Sequence, residues 1–134
     1  MRILLDTHMI LWSLSDDPKL PAKARDMIMN GENELFYSVA SMWEVTIKHL
    51  AHPDRMRISG SKLAEGCDRL GIQSLAITQN HVKMLETLKR PETAPAHNDP
   101  FDKILIAQAK TEDLIFLTHD SLIPYYQETC ILHV

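Results

Sequence analysis

Four acidic side chains stand beside apolar segments in this chain: Asp6 after RILL, Glu44 within SVASMWEVTIKHL, Asp102 in DPFDKILIAQA and Asp120 after LIFLTH. A fifth acid, Asp99, opens the DPFD stretch. A carboxylate next to a core must be solvated, paired or bound to a metal, because burying it bare is very costly. Most of these residues also have an ordinary structural reading. Asp6 precedes THMIL and suits a helix N-cap. Asp99 followed by Pro100 is a common helix start, so it reads first as a cap. Asp120 fits a turn or the cap of SLIPYY. Glu44 has Lys48 four residues on, in the order that favours a plain surface pair. Asp102 is different: Leu105 and Ile106 are its helical neighbours, and no base stands at either spacing. The helix dipole favours an acid there by only up to about 1 kcal/mol. No nucleophile–base pair and no Gly-rich phosphate loop accompanies the acids. Clustered carboxylates repel one another unless a cation joins them, and hard oxygen donors suit Mg²⁺ or Mn²⁺.

Such a cluster needs elements that bring its members together. RILLD reads as a buried strand and THMILWSLS as the helix after it, with DDPKL a loop. PAKARDMIMNG is predicted as a helix with Pro21 in its first turn and Asn30-Gly31 as its stop. ELFYS is a second strand. Ser38 then caps a helix to about residue 50, with Val39, Met42, Trp43, Ile47 and Leu50 on one apolar stripe. AHPDRMRISGS is a loop, residues 61–70 a helix and IQSLAI a strand. Thr78 caps QNHVKMLETL, and the three prolines of KRPETAPAHNDP make it a connecting loop. Residues 100–111 form a helix, 114–118 a strand, and TCILHV a last short strand. Strands alternating with helices predict an α/β fold with a mainly parallel sheet covered on both faces. Ligands gather at the carboxyl ends of such strands, where Asp6 and Asp120 both fall.

At 134 residues, the chain suits a single domain spanning 1–134 with one core of ordinary size. A makeup of 45% apolar and 24% charged residues excludes wholesale disorder. No apolar run approaches the roughly 20 residues that span a bilayer, so no membrane association is expected. The start lacks a small-residue cleavage site, and Cys67 and Cys130 form no CxxC. Both features fit a reduced cytoplasmic chain. A net charge of −4 argues against coating nucleic acid through bulk positive charge, though not against an enzyme whose metal supplies the cation.

In order along the chain, LLDTHMILWSL, SVASMWEVTIKHL, HNDPFDKILIAQA and LIFLTHD resemble the successive motifs of PIN-domain proteins, specifically the VapC-type toxin ribonucleases of type II toxin–antitoxin systems. The resemblance implies a three-layer α/β/α sandwich and an acidic pocket that binds Mg²⁺ or Mn²⁺ for RNA hydrolysis. It carries the family's catalytic acids onto Asp6, Glu44, Asp102 and Asp120, with Asp6, Asp102 and Asp120 as metal ligands and Asp99 as a second-choice ligand. The hydroxyls of Thr7 and Thr118 then orient the carboxylates or a water. The same resemblance implies an RNA substrate, a cognate antitoxin and a homodimer. Met9, Leu11, Trp12, Met27 and Met29 on the first two helices are candidate partner surfaces, in competition with core packing. Lys48, Lys103 and Arg55 are candidate contacts to the RNA backbone.

Three rival readings remain. A phosphatase using Asp6 as nucleophile calls for a second Asp two residues on, where His8 stands. A metal phosphohydrolase of the His/Asp type uses His97, His119-Asp120, and His49 with His52. A non-catalytic binding module makes the acids caps and surface pairs.

Overall fold

The computed structural model describes all residues from Met1 to Val134. Five strands, β1 (Arg2–Leu5), β2 (Glu34–Ser38), β3 (Gln73–Leu75), β4 (Ile115–Thr118) and β5 (Ile131–His133), form one parallel sheet in the order β3-β2-β1-β4-β5. Six helices connect and cover them: α1 (Thr7–Leu14), α2 (Ala22–Met29), α3 (Val39–Ala51), α4 (Gly60–Arg69), α5 (Gln79–Met84) and α6 (Pro100–Glu112). Alternation along the strands sends successive side chains to opposite faces. Ile3, Leu5 and Leu117 pack with Met9, Ile10, Ala24, Val45 and Leu63 of α1 to α4. Leu4 and Phe116 pack on the other side with Ile104 to Ala107 of α6 and with Ile123 and Tyr126. Both faces of the central strands are therefore apolar, and the three-layer α/β/α sandwich follows.

The chain builds β1, β2 and β3 outward in one direction, then returns through α6 to lay β4 on the other flank of β1. That reversal opens a crevice beyond the carboxyl ends of β1 and β4. The two ends are level: Leu5 is paired with Leu117, and Asp6 N donates to the Leu117 carbonyl at 3.0 Å.

Some expectations need correction. Pro21 is the N-cap of α2, one residue before its first turn, with an extended backbone at ψ 143°. IQSLAI contributes only the three residues of β3 to the sheet. The larger correction is α3. Its buried face is Ala40, Ser41, Glu44 and Val45. Val39, Trp43, Ile47 and Leu50 point outward instead, with Trp43 58% and Leu50 78% exposed. Small residues permit the close approach to the sheet and to α4, and within this chain the Trp43 ring meets only Phe101 of α6, edge to face, leaving most of the stripe exposed. Conversely, Met9 is in the core, while Leu11, Trp12 and Met27 pack against it. Only Met29 of the first two helices' candidates is broadly exposed. No helix is long and apolar enough to cross a membrane.

The α3–α4 contact is closed by Gly60, where an added Cβ falls 1.9 Å from Thr46 Oγ1 and 2.8 Å from the Met42 carbonyl oxygen. The second neighbour is backbone and cannot rotate away. Gly60→Ala is therefore expected to destabilise the protein by about 1–3 kcal/mol, the usual scale of overpacking. Chemical unfolding of the two proteins checks this, and equal midpoints contradict it.

Candidate active site

The site begins with Asp6, which leaves β1 and caps α1. Its carboxylate is 5% exposed. One oxygen accepts from Thr7 N at 2.7 Å, and the other accepts from Thr118 Oγ1 at 2.6 Å. Thr118 closes β4, and its hydroxyl oxygen accepts from Asp120 N at 3.1 Å. One threonine thus joins the acids that follow two neighbouring strands. Asp120 also caps the turn after it, its Oδ1 accepting from Leu122 N at 2.8 Å. Asp6 and Asp120 face a shared cavity of about 240 Å³, whose rim includes His8, Trp12 and His119.

Glu44 reaches inward from α3 and is 4% exposed. Its Oε1 accepts from Thr7 Oγ1 at 2.8 Å, and Oε2 accepts from Lys48 Nζ at 2.6 Å. The pair with Lys48 forms as its spacing predicts, but Glu44 lies on the buried face. Ser41 Oγ stands 2.8 Å from Thr7 Oγ1, so α1 and α3 share a hydroxyl–carboxylate network.

Asp102 projects from the first turn of α6 and is 8% exposed. Its Oδ2 meets His97 Nε2 at 3.0 Å, and His97 Nδ1 meets Tyr126 Oη at 2.8 Å. Asp99 caps the same helix, with Oδ1 accepting from Phe101 N at 2.9 Å and Asp102 N at 3.3 Å. His97, Asp102 and Asp120 each present a ligand atom within 4.8 Å of the others.

These acids repel. Burial, then the charges of Asp6, Asp99, Asp120 and Glu44, push the Asp102 carboxyl up to about 8. Burial also raises Asp6, against the hydrogen bonds from Thr118 and Thr7 and the His8 charge, with Glu44 adding to the rise. His97 is lowered toward the neutral ring, first by burial and then by Arg90 and Lys103, while Asp120 and Asp99 oppose the shift. The chain alone therefore keeps a proton where it could hold a full charge. An oxygen-rich donor set with that property fits a hard divalent cation. The Asp6 oxygens, each accepting one hydrogen bond, and the Asp120 carboxylate, with one such bond at Oδ1, keep lone pairs for one.

A family profile described as the PIN domain matches residues 3–127. The chain belongs to the PIN-domain family. Its fold is similar to a chain of VapBC2 from Rickettsia felis, solved bound to a DNA fragment from their promoter. There the TM-score is 0.68 and the identity 14%, over 100% of this chain and 98% of that one. A chain of a toxin–antitoxin complex from Klebsiella pneumoniae superposes with a TM-score of 0.60 at 14% identity, over 97% and 95% of the two chains. No curated protein matches the sequence.

In this PIN domain Asp102 feels the charges of Asp6, Asp120 and Glu44, and Thr7 and Thr118 bond Glu44 and Asp6. Asp99 spends one oxygen on the α6 cap, and Asp99, Asp6 and Glu44 all lie outside the close group of His97, Asp102 and Asp120. His49 bonds the Met56 carbonyl and His52 ends α3, so neither joins the acids. Sequence reasoning missed Ser41 and Tyr126 and gave His97 no place beside Asp102. Only His97, five residues before Asp102, lay near enough in the sequence to be suspected.

With divalent cations removed, the folded Asp102 carboxyl binds its proton near pH 8, against an ordinary value of 3.8 in the unfolded chain. The folded state is the better proton binder between those values, so this group's contribution is full below about pH 4 and is lost as pH rises through 8. Thermal unfolding in chelator is expected to show stability falling over that window, with a flatter profile for Asp102→Asn. Mn²⁺ at about 100 times its Kd should restore about 2.7 kcal/mol. Parallel profiles for the two proteins contradict the cluster.

Proposed function

We propose that this PIN domain is an endoribonuclease that hydrolyses RNA phosphodiester bonds with Mg²⁺ or Mn²⁺, acting as the toxin of a toxin–antitoxin pair. The observation that carries this reading is the convergence of carboxylates from the ends of β1 and β4 and from α3 on Asp102 of α6, whose burial, together with those charges, pushes it up to about 8. Asp6, Asp102 and Asp120 are the residues to hold the ion, with Asp99 as a further candidate once its cap bond is shared. Bound there, a divalent ion supplies a water of lowered pKa and neutralises charge on the phosphate. The chain's own groups set the geometry. Thr118 fixes the Asp6 plane, Thr7 turns Glu44 inward, and Lys48 neutralises the outer Glu44 oxygen. The Glu44 charge adds to the negative field of the ligand set, which a divalent cation offsets more fully than a single proton does.

Two rivals lose ground on specific contacts. Both ring nitrogens of His97 are engaged, by Tyr126 and Asp102, so it serves better as an orienting partner than as a ligand of a His/Asp phosphohydrolase. Acids in a non-catalytic module would be dispersed caps and surface pairs, whereas Asp6, Glu44 and Asp102 are buried together. Asp6→Asn is expected to reduce Mg²⁺-dependent RNA cleavage by more than the roughly 10–100-fold loss for Thr118→Val, which acts through Asp6. Equal cleavage by wild type and Asp6→Asn defeats the assignment.

A cognate antitoxin is the proposed inhibitor, since both structural relatives come from toxin–antitoxin assemblies and an acidic pocket attracts basic side chains. The free thiols of Cys67 and Cys130 suit the cytoplasm. For the homodimer, the exposed α3 stripe is the proposed surface. Val39, Trp43, Ile47 and Leu50 bring no charge into the line, so a second copy covers the stripe without burying an unpaired ion. Trp43→Glu with Leu50→Glu is expected to convert a dimer to a monomer by sedimentation. An unchanged sedimentation coefficient moves the interface elsewhere.

A further inference from the structure

We propose that the cavity on the α6 side of the acidic cluster binds the sugar-phosphate backbone of single-stranded RNA next to the bond to be cut; this rests on the nuclease reading above. The cavity has a volume of about 480 Å³, within the roughly 300–1,000 Å³ of ordinary ligand clefts. His97 forms a wall common to it and the cluster, because the ring that lines the cavity also meets Asp102 at 3.0 Å. A strand lying in the cavity therefore continues onto the acids.

The lining is chemically mixed. Arg90, Lys103 and Asn98 supply donors, and Leu85 and Leu88 supply apolar surface. Both cations line one cavity in a chain of net charge −4. Arg2, Arg25, Lys48, Lys62 and Lys110 all have carboxylate partners. Arg90 and Lys103 have none, and Arg90 is held in place. Arg90 Nη2 donates to the Pro95 carbonyl, and the guanidinium stands 5.5 Å over the Tyr126 ring. Its Nε is buried without a partner. Lys103 rises one residue after Asp102, half-buried at the head of α6. Both line the cavity beside the His97 ring. A fixed guanidinium and a second cation without a carboxylate partner, beside a carboxylate cluster, match an anion that enters together with a metal. A nucleic-acid backbone has that pattern, since phosphate contacts set register while carrying no sequence information. The sugar and base faces suit the leucine wall.

The test uses the full chain carrying Asp6→Asn, so that RNA is bound without being cut, and a fluorescent single-stranded RNA oligonucleotide read by anisotropy across a salt series in Mg²⁺. Adding Lys103→Gln or Arg90→Ala is expected to weaken binding about 5-fold at 0.1 M salt. Each should also flatten the plot of log affinity against log salt by about 0.7. Lys62→Ala, whose ammonium is paired with Glu65 on α4, should change neither. Lys103→Gln tests the cavity even if Arg90→Ala fails to fold. With Asp6 restored, Lys103→Gln should raise KM for RNA and leave kcat in place. An unchanged salt slope in both variants, while the wild type still cleaves RNA, overturns the cavity proposal and leaves the nuclease reading standing. A lowered slope in a protein that never cleaves supports the cavity and removes the nuclease. If the variants lose affinity for a poly-glutamate peptide but not for RNA, the cavity takes an acidic protein segment and the proposal falls.

Discussion

The register of β1 against β4 holds the site together. Leu5 opposite Leu117 leaves Asp6 and Thr118 side by side at the point where both strands end, and the 2.6 Å hydrogen bond between them closes that edge. Register in a parallel sheet is specified wherever both faces are buried, because a one-residue slip turns every side chain to the wrong layer. Here Ile3, Leu5 and Leu117 belong to one core and Leu4 and Phe116 to the other. The apolar alternation that folds the sheet is thus the same constraint that aligns the acids.

Electrostatics works in the opposite direction. Burial, helped by neighbouring carboxylates, raises Asp6 and Asp102, and the protein tolerates the acids through hydroxyl and ring partners. Thr7, Ser41 and Thr118 are fully or nearly buried and direct their hydroxyls at these acids or at one another. Tyr126 and His97 extend the network to Asp102. The arrangement leaves stability unrealised in the bare chain, and on the proposed reading a cation recovers it.

Much of this was legible in the sequence where a local rule sufficed. The Ser38 cap, the Asp99-Pro100 start of α6 and the strand ELFYS all appear as expected, because capping and strand burial are short-range effects. Asp102 stood out because no base was spaced to pair with it. What failed was orientation. Helical spacing identified the Glu44–Lys48 pair and the Val39-to-Leu50 stripe, but spacing fixes which side chains are neighbours and not which side meets the sheet. On α3 the stripe faces out and Glu44 faces in. Tyr126 and Ser41 were illegible for another reason. Their contacts with His97 and Thr7 span 29 and 34 residues of chain, and only the assembled sheet brings them together.

The central claim is that Asp6, Asp102 and Asp120 share one divalent ion. A crystal grown with Mn²⁺ and measured at a wavelength where manganese scatters anomalously tests it directly. The account predicts an anomalous peak bonded to oxygens of those three carboxylates, in the crevice beyond β1 and β4. A well-ordered pocket with no manganese there, or with the metal held only at unrelated surface acids, contradicts it.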